Sequence, residues 1–307
     1  MPRCLVTGAN GYIGRELCRQ LLAADVDVVA LVRDKRTAPS GTQALVADLA
    51  SRIPDARELD GIDVVFHLAG IAHQRSTAEA YARINFDATW MLARAAADAG
   101  VGTFLFTSSI KAMGEAPSAA PRTEERISEQ RDEYGLSKWR AEEALRREFA
   151  RTEMAVVILR PCLVYDADAS GNLGALARAA QRGLPMPPEL GARSMISRED
   201  LVAVMLDFLQ RPSRGVHTYI VCDGDSYSSR RIYRALRRAA GRGDTMSLPL
   251  WLWRIACVGL DVSARLDSRD SYRRLFGTEL YDARKLRAER GWQPQLNLEQ
   301  ALGVANH

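Results

Sequence analysis

The chain has 307 residues, of which 47% are hydrophobic and 26% are charged, a composition typical of a folded globular protein and not of a disordered one. Its formal net charge of +4 suits an anionic ligand but does not indicate nucleic-acid binding, for which a concentrated basic face is expected. The five cysteines form no C-x-x-C pair and the four histidines have no ligand spacing, so we expect buried, reduced thiols and no structural metal.

The chain begins directly with a predicted strand, which indicates no signal peptide and a cytoplasmic location. Its most apolar window, residues 248–260, is too short to span a bilayer and contains Arg254. We therefore predict no transmembrane segment.

A glycine-rich turn is the first motif of the chain. Gly8, Gly11 and Gly14 follow the apolar residues 4–6 and lead into residues 16–22, whose apolar side chains recur at helical spacing. Glycines at this spacing let the backbone turn tightly and approach a pyrophosphate, and the helix N-terminus offers N–H groups to an anion. An ordinary strand–helix turn can contain the same glycines, but the order strand, turn, helix favours a dinucleotide site.

Short apolar runs alternate with helical patterns along most of the chain. We predict strands at residues 4–6, 26–32, 44–47, 64–68, 104–107, 155–159 and 216–221, and helices at 78–99 and 131–151. This alternation predicts an α/β fold with a doubly wound parallel sheet of the Rossmann type. Residues 1–165, with 196–222 returning to them, are predicted to form this domain, and residues 166–307 mainly a smaller C-terminal α/β domain.

The end of the second strand is where a Rossmann fold selects its cofactor. An acidic side chain there binds the 2′-hydroxyl of NAD, whereas an arginine accommodates the 2′-phosphate of NADP. This chain has Val32, then Arg33, then Asp34. We predict a preference for NADP(H), with NAD(H) possible; the alternative is that Arg33 is a solvated loop charge. Asp48, after the third strand, is expected either to accept from the adenine amino group or to cap a turn.

Two polar residues lie among apolar neighbours. His67, inside the fourth strand, is predicted to be a hydrogen-bonded core histidine and not a catalyst. Asn85 lies within the long predicted helix, where an amide is costly to bury unless it is hydrogen-bonded.

Tyr134 and Lys138 are four residues apart, which places them on one face of a predicted helix. A tyrosine has an ordinary pKa near ~10, and a neighbouring ammonium favours the phenolate, so we expect Lys138 to lower the pKa of Tyr134. Ser109, after the fifth strand, is placed to hydrogen-bond the reacting oxygen. Tyrosine and lysine at this spacing often merely pack together, but beside a glycine-rich turn they predict hydride transfer at a carbon–oxygen group.

These motifs resemble those of one family, at residues 7–14, 67–70, 106–111, 134–138 and 159–161. The chain is similar to extended short-chain dehydrogenases/reductases of the NAD-dependent epimerase/dehydratase group, which act on nucleotide sugars. The resemblance runs from residue 3 to about residue 294. It implies that residues 166–307 mainly bind the nucleotide-diphosphate sugar.

The resemblance also assigns residues to the site. It implies that Ser109, Tyr134 and Lys138 are catalytic. The expected cofactor contacts are Gly8, Asn10, Gly11, Tyr12, Ile13, Gly14, Arg33, Asp48, Leu49, Leu68, Ala69, Gly70, Tyr134, Lys138 and Pro161. The expected substrate contacts are Lys111, Asn172, Leu173, Arg193 and Arg274, with Arg193 and Arg274 placed for the diphosphate. Arg273 is the alternative to Arg274, and Lys111 is equally well explained as a surface lysine.

Three functions remain after this comparison. NAD-bound 4-epimerases have an Asp where this chain has Val32, so we predict a reductase of the C4 keto group of a 4-keto-6-deoxy nucleotide sugar for surface polysaccharide synthesis. The alternative is a 4-epimerase of a UDP-hexose or UDP-N-acetylhexosamine. A non-catalytic dinucleotide-binding subunit is the distant alternative, since such proteins usually lack the tyrosine or the lysine.

Two surfaces are candidates for association. Helices 78–99 and 131–151 are expected to form a homodimer, because the first carries small and apolar residues around much of its circumference and family members pair these helices. Residues 248–253, which include Trp251 and Trp253, suit either a membrane or partner interface or a domain core. We expect no binding to liposomes.

Overall fold

The structure is a computed structural model that describes residues 1–72, 76–115, 120–166, 171–264 and 270–304. The description leaves out the side chains of Gly171, Asn172, Ser263, Ala264, Asp270 and Arg274. Of the predicted site residues, the side chains of Asn172 and Arg274 therefore lie outside the described residues.

Apolar, largely β-branched segments form a seven-stranded parallel sheet. Its strands are β1 (Arg3–Thr7), β2 (Asp27–Val32), β3 (Gln43–Val46), β4 (Val64–His67), β5 (Thr103–Thr107), β6 (Ala155–Pro161) and β10 (Val216–Val221). All seven predicted strands are present; most of them, unlike the edge strand β3, are buried on both faces and therefore have few polar positions. The predicted α/β fold with a doubly wound sheet is confirmed.

The strand order is β10-β6-β5-β4-β1-β2-β3. The chain moves from β1 outward to β2 and β3, and then returns to the other side of β1 with β4. The direction of winding therefore reverses between β1 and β4, and ligands of such sheets bind at the carboxyl ends of the strands at this switch point. In register, Thr7 lies beside Leu31 on one side and beside His67 on the other.

Helices cover the faces of the sheet. They are α1 (Tyr12–Ala23), α2 (Ala78–Tyr81), α3 (Ala88–Asp98), α4 (Glu133–Phe149) and α6 (Arg198–Gln210). Leu92 and Ala96 of α3 and Leu145 of α4 pack with strand residues such as Phe104 in one buried cluster. Burial of this apolar face is the main stabilising contribution to the domain.

The predicted helix 78–99 is not a regular α-helix. A π-helical segment, Ala82–Asp87, joins α2 to α3, with Asn85 buried inside it. A π-segment changes the direction of the side chains that follow it, and such segments are frequent at functional sites. Here it places Asn85 toward the interior, as described below.

The chain divides into two compact units. The first contains Met1–Ala116, Glu124–Pro161 and Leu201–Val221, and the second contains Pro117–Thr123, Cys162–Asp200 and Cys222–His307. The returning segment thus begins at Leu201, whereas the predicted segment was 196–222. The binding roles assigned to the two parts remain predictions.

The second unit has two small parallel sheets. β7 (Leu163–Tyr165) pairs with β9 (Met195–Ser197), and β8 (Ala192–Arg193) pairs with β11 (Thr278–Glu279). Its helices are α5 (Gly171–Gln181), α7 (Ser229–Ala239), α8 (Leu250–Ala264), α9 (Asp270–Phe276), α10 (Arg284–Arg290) and α11 (Leu298–Ala301). Its core includes Tyr165, Leu173, Met195, Tyr227 and Leu298.

No helix in the described ranges is long and apolar enough to cross a membrane. All five cysteines are buried and free, as the sequence predicts. The described residues include no group of three or more His, Cys, Asp or Glu side chains that can hold a metal ion.

Candidate active site

The β1–α1 turn is closed so tightly that it requires its glycines. A Cβ on Gly14 would lie 2.2 Å from the carbonyl oxygen of Gly8, which itself accepts from Gly11 N at 2.9 Å. Gly8 has a φ of +67°, a conformation that other residues rarely adopt. α1 begins at Tyr12 with Gly11 as its uncapped N-cap, and its first turn contains no acidic residue. This end of α1 therefore fits a pyrophosphate.

The turn lies against the segment that follows β4. A Cβ on Gly8 would be 2.9 Å from Ala69 N and 3.0 Å from the carbonyl carbon of Leu68. A Cβ on Gly70 would be 2.9 Å from Asn85 Oδ1 and 3.3 Å from Lys138 Nζ. Leu68 and Ala69 therefore lie against the glycine-rich turn, and the next residue, Gly70, lies beside Lys138.

Three elements position the predicted catalytic residues. Ser109 is the second residue after β5. It caps the following 3₁₀ turn, Ile110–Met113, by accepting from Lys111 N at 3.2 Å. Asp132 caps α4 by accepting from Gly135 N at 2.8 Å, so that Tyr134 lies in the first turn of the helix. The hydroxyl of Ser109 hydrogen-bonds that of Tyr134.

Lys138 lies one turn further along α4 and is buried. Its Nζ donates to the carbonyl oxygen of Thr107 at 2.9 Å and lies 4.6 Å from the centre of the Phe106 ring. Both contacts favour the ammonium form, and they fix it under the carboxyl end of β5.

The titration of this pair differs from the expectation. Burial raises the pKa of Tyr134 to about 12, although the hydrogen bond with Ser109 acts in the opposite direction. Burial lowers the pKa of Lys138 to about 8, partly offset by the carboxylate of Glu142. The expected net lowering of the pKa of Tyr134 is therefore wrong for the protein groups alone, because desolvation of the phenol dominates. With these protein groups alone, the Tyr134 phenol is therefore protonated at neutral pH.

A chain of hydrogen bonds connects β1 to α4 through His67. Thr7 Oγ1 accepts from Ala69 N at 3.0 Å and lies 2.8 Å from His67 Nδ1. His67 Nε2 lies 2.9 Å from Thr89 Oγ1, whose hydroxyl donates to Asn85 O at 2.8 Å. Thr89 therefore accepts from His67 Nε2–H, which assigns the tautomer from its partners. Burial lowers the pKa of His67 to about 3, so it is a neutral core histidine, as predicted.

Asn85 extends this series of hydrogen bonds to α4. Its Oδ1 accepts from Ile71 N at 2.8 Å, and its Nδ2 donates to Ile71 O at 3.0 Å and to Ser137 Oγ at 3.1 Å. Ser137 in turn donates to Tyr134 O at 2.8 Å. Asn85 thus positions the segment after β4 relative to the turn of α4 that holds Tyr134, a role that the helical pattern of the sequence does not reveal.

A buried ion pair between Glu142 and Arg160 connects α4 to β6 next to the same residues. Glu142, one turn after Lys138, accepts from Ser108 Oγ and from both Nε and Nη2 of Arg160. Arg160 Nη1 also donates to Glu124 O at 2.9 Å. Glu142 is not among the predicted site residues. The sequence signals for it are an acidic residue one helical turn after Lys138 and an arginine, Arg160, inside the apolar strand β6.

The residues predicted to bind the adenosine half lie around the ends of β2 and β3. Arg33 is exposed where β2 ends, and Val32 is buried. Asp34 accepts from Arg36 N at 3.0 Å and pairs with the Arg36 side chain, which lowers the pKa of the Asp34 carboxyl. Asp48 is exposed and accepts from Ala50 N at 3.0 Å, so it caps a turn.

Four other predicted cofactor contacts occupy defined places. Asn10 donates from Nδ2 to Thr37 Oγ1 at 3.2 Å. Ile13 follows Tyr12 in the first turn of α1. Leu49 is buried in the main core, and Pro161 is the last residue of β6.

The predicted substrate contacts are divided between the two units. Lys111, in the first unit, is half-buried and pairs with Glu115 at 3.5 Å. In the second unit, Leu173 lies in the first turn of α5 and is buried in the core. Arg193 lies in β8 beside Glu279, and burial lowers the pKa of its guanidinium.

A doubly wound sheet with a closed glycine-rich turn before α1, and with Ser109, Tyr134 and Lys138 near the carboxyl end of β5, is the arrangement of dinucleotide-dependent α/β enzymes. The model of the NAD dependent epimerase/dehydratase family matches residues 4–222. The chain belongs to this family.

Individual relatives agree with this assignment. The chain is 31% identical to a UDP-glucose 4-epimerase of Vibrio cholerae over 98% of this chain and 94% of the relative. It is 25% identical to N-acetyl-alpha-D-glucosaminyl-diphospho-ditrans,octacis-undecaprenol 4-epimerase of Escherichia coli O157:H7, over 97% and 92% of the two chains. Among solved structures, it shares its fold with MoeE5 in complex with UDP-glucose and NAD, with a TM-score of 0.79, 24% identity, and coverage of 98% and 96%.

Proposed function

We propose that the chain is a 4-epimerase of a nucleotide-activated hexose that works by transient oxidation at C4. The observation that carries the redox chemistry is the set of Ser109, Tyr134 and Lys138 beside the glycine-rich turn. Epimerisation is supported by the full-length similarity to a UDP-glucose 4-epimerase and by the similarity to a second 4-epimerase.

The protein groups present fit a nicotinamide dinucleotide. The closed β1–α1 turn would receive the pyrophosphate, and the backbone of residues 68–70 would lie along the cofactor. When bound in its oxidised form, the cofactor supplies a hydride acceptor and a positive charge.

Tyr134 carries the proton in the proposed reaction. Its oxygen takes the C4 hydroxyl proton as the hydride leaves C4, and it returns that proton when the 4-keto sugar is reduced on its other face. Ser109, which hydrogen-bonds Tyr134, orients the reacting oxygen. Because burial raises the pKa of Tyr134 to about 12, the charge of Lys138 and that of the oxidised cofactor are needed to favour the phenolate.

A second candidate is the reduction of a 4-keto-6-deoxy nucleotide sugar. It is favoured by the end of β2, where Val32 takes the place of the acid and the exposed Arg33 is available for a 2′-phosphate. Asp34 is bound to Arg36 and so does not substitute for that acid. This arrangement supports NADP(H) as the preferred cofactor, as expected for an enzyme that consumes external reducing equivalents.

One experiment separates these functions. The protein is incubated with UDP-glucose, UDP-N-acetylglucosamine or polyprenyl-diphosphate N-acetylglucosamine plus NAD, and separately with UDP- or dTDP-4-keto-6-deoxyhexoses plus NADPH. An unchanged mass with inverted C4 configuration supports epimerisation, whereas a gain of two hydrogens supports reduction. Dinucleotide binding without product in any assay contradicts both and leaves the non-catalytic subunit.

The proposal includes a homodimer formed by α3 and α4. These helices are tied together by Trp90 Nε1, which donates to Glu148, and by the Arg94–Glu148 pair at 3.2 Å. Met91 remains about half exposed on their outer surface. Light scattering during size-exclusion chromatography measures the mass directly, and a monomer at micromolar concentration contradicts the dimer.

A further inference from the structure

Helix α8 exposes an almost entirely apolar surface. Trp251, Ile255, Val258 and Val262 follow one another at intervals of four, three and four residues and therefore form a single stripe. Their side chains are 59%, 62%, 54% and 74% exposed. The other exposed apolar residues of the helix are Ala256, Gly259 and Leu260. The sequence left open whether the apolar residues at the start of this helix belong to a domain core. The four residues of the stripe do not, because they are exposed.

The opposite side of α8 is held by specific contacts. Cys257 and Asp261 are buried, and Asp261 Oδ1 accepts from Ser271 N at 2.9 Å. The Trp253 ring packs edge-on against Phe276 with 6.0 Å between ring centres. The stripe is therefore the outward side of an anchored helix.

The length of α8 limits what can cover it. Its 15 residues extend about 22 Å, less than the ~30 Å hydrocarbon core of a bilayer, so α8 cannot span it. A helix of this length with an apolar stripe instead lies in the plane of the membrane, with the stripe at the level of the headgroups and upper acyl chains. Trp251 suits that depth because its ring is apolar and its indole N–H is polar.

Among the side chains that the structure describes in α8 and α9, the exposed charges named here are basic. Arg254 is the one charged side chain exposed in the described part of α8, and it lies 6.0 Å from the centre of the Tyr272 ring. Arg273, in the neighbouring α9, is also exposed. The acid of α8, Asp261, is buried, so no exposed carboxylate of α8 opposes an anionic surface.

We propose that the exposed stripe of α8 docks into the headgroup layer of an anionic lipid bilayer. A protein partner fits less well, because protein interfaces typically contain several hydrogen bonds, whereas the side chains of the stripe offer one polar group, the indole N–H of Trp251. Docking would hold the second unit at a membrane surface. The proposal does not depend on the identity of the reaction.

Vesicle co-sedimentation tests the proposal with the full chain. Wild type is mixed with vesicles of phosphatidylcholine alone or of phosphatidylcholine with phosphatidylglycerol, and the pelleted fraction is measured against lipid concentration. The sequence alone predicts no liposome binding; with the exposed stripe of α8 in view, we expect binding to the anionic vesicles that weakens at high salt. The variant Trp251→Ser/Ile255→Ser/Val258→Ser should bind at least about tenfold more weakly, because partitioning scales with buried apolar area.

Two further variants complete the test. Ile127→Ser removes an exposed apolar side chain of the first unit and should leave vesicle binding unchanged. Arg254→Gln should reduce binding to anionic vesicles while retaining the apolar stripe. Dinucleotide binding and the thermal midpoint of the triple serine variant should match wild type, because its changed residues are exposed.

Three outcomes overturn the proposal. They are wild type that stays in the supernatant with anionic vesicles, a triple serine variant that pellets like wild type, and a wild-type oligomer that the serine changes dissociate. The last outcome would show that a second copy covers the stripe. None of these measurements uses a substrate, so failure here is distinct from failure of the proposed reaction.

Discussion

Arg160 and Glu142 form a forked ion pair in which Nη2 lies 2.6 Å from Oε2 and both side chains are closed to solvent. Arg160 is the next-to-last residue of the apolar strand β6, whereas Glu142 lies one helical turn after Lys138. The same carboxylate receives Ser108, the residue before Ser109. A single buried carboxylate thus connects the segment after β5, which contains the predicted catalytic residue Ser109, to the helix that contains Tyr134 and Lys138.

The first prediction concerns the stability that this pair provides. Glu142→Gln should lower the free energy of unfolding by about 3–5 kcal/mol, because it leaves the Arg160 guanidinium buried and unpaired. Urea denaturation measures the change. Glu143→Gln is the matched control: Glu143 pairs with Arg146 near the surface, so its loss should cost less than about 1 kcal/mol. Equal losses for the two variants contradict the assignment.

The second prediction concerns pH. Since burial lowers the pKa of Lys138 to about 8, its ammonium is lost above that pH, and kcat/KM should fall on the alkaline side near pH 8. The Glu142 carboxylate raises the pKa of Lys138, so the Glu142→Gln limb should move to lower pH, whereas the Glu143→Gln limb should not move. An alkaline limb unaffected by Glu142→Gln would contradict the coupling.

The same titration has a consequence for stability. Between about pH 8 and the ordinary lysine value of 10.5 the unfolded chain binds more protons at Lys138 than the folded chain does. Lys138 therefore destabilises the fold below pH 8, and this penalty decreases as the pH rises through that window. Lys138→Met should be more stable than wild type at pH 7, with the difference shrinking toward pH 10.

The sequence predicts the sheet well and the supporting side chains poorly, for a physical reason. A strand buried on both faces, such as residues 155–159, has an apolar pattern that depends on its own residues alone. The roles of Glu142 and Asn85 depend instead on partners far along the chain, such as Arg160, 18 residues away, and Ser137, 52 residues away. Periodicity does not encode such pairs.

One error of prediction and one alternative that the sequence left open have the same origin. The pKa of Tyr134 follows from the burial of its phenol, which the spacing of Tyr134 and Lys138 does not report. The apolar residues 251–262 match a buried helix in composition, yet tertiary packing buries only one side of α8. Composition thus indicates that an apolar surface exists without indicating what covers it.

The third prediction tests the proton carrier. Tyr134→Phe should reduce turnover by about 10²–10⁴-fold, the range for losing a positioned acid–base group, and should leave dinucleotide binding intact. Steady-state turnover and cofactor titration give the two quantities. Tyr219→Phe, which removes a buried phenol from β10, is the control and should retain near-normal turnover. Turnover that survives Tyr134→Phe would refute the proposed mechanism.

The fourth prediction tests the cofactor preference. If Arg33 binds the 2′-phosphate, Arg33→Ala should weaken NADPH by about ten- to hundredfold, because a charge-assisted contact contributes roughly 1.5–3 kcal/mol, and should leave NADH nearly unchanged. Arg36→Ala removes a nearby exposed arginine that is already paired with Asp34 and should affect neither. Tighter binding of NADH than of NADPH by wild type would instead favour the tightly held NAD of an epimerase.

The fifth prediction tests the hydrogen-bonded chain through His67. Thr89→Val keeps the shape of the side chain but leaves His67 Nε2 without its acceptor and removes one donor to Asn85 O. An unsatisfied buried polar group costs about 1–3 kcal/mol, so the free energy of unfolding should fall by at least that amount. Dinucleotide affinity should fall as well, because Asn85 orients both the segment after β4 and the first turn of α4.

Thr103→Val is the matched control, since the hydroxyl of this buried threonine takes part in no hydrogen bond that the described structure contains, and it should leave stability within about 0.5 kcal/mol. Equal effects of the two substitutions would show that the chain of hydrogen bonds has no special weight.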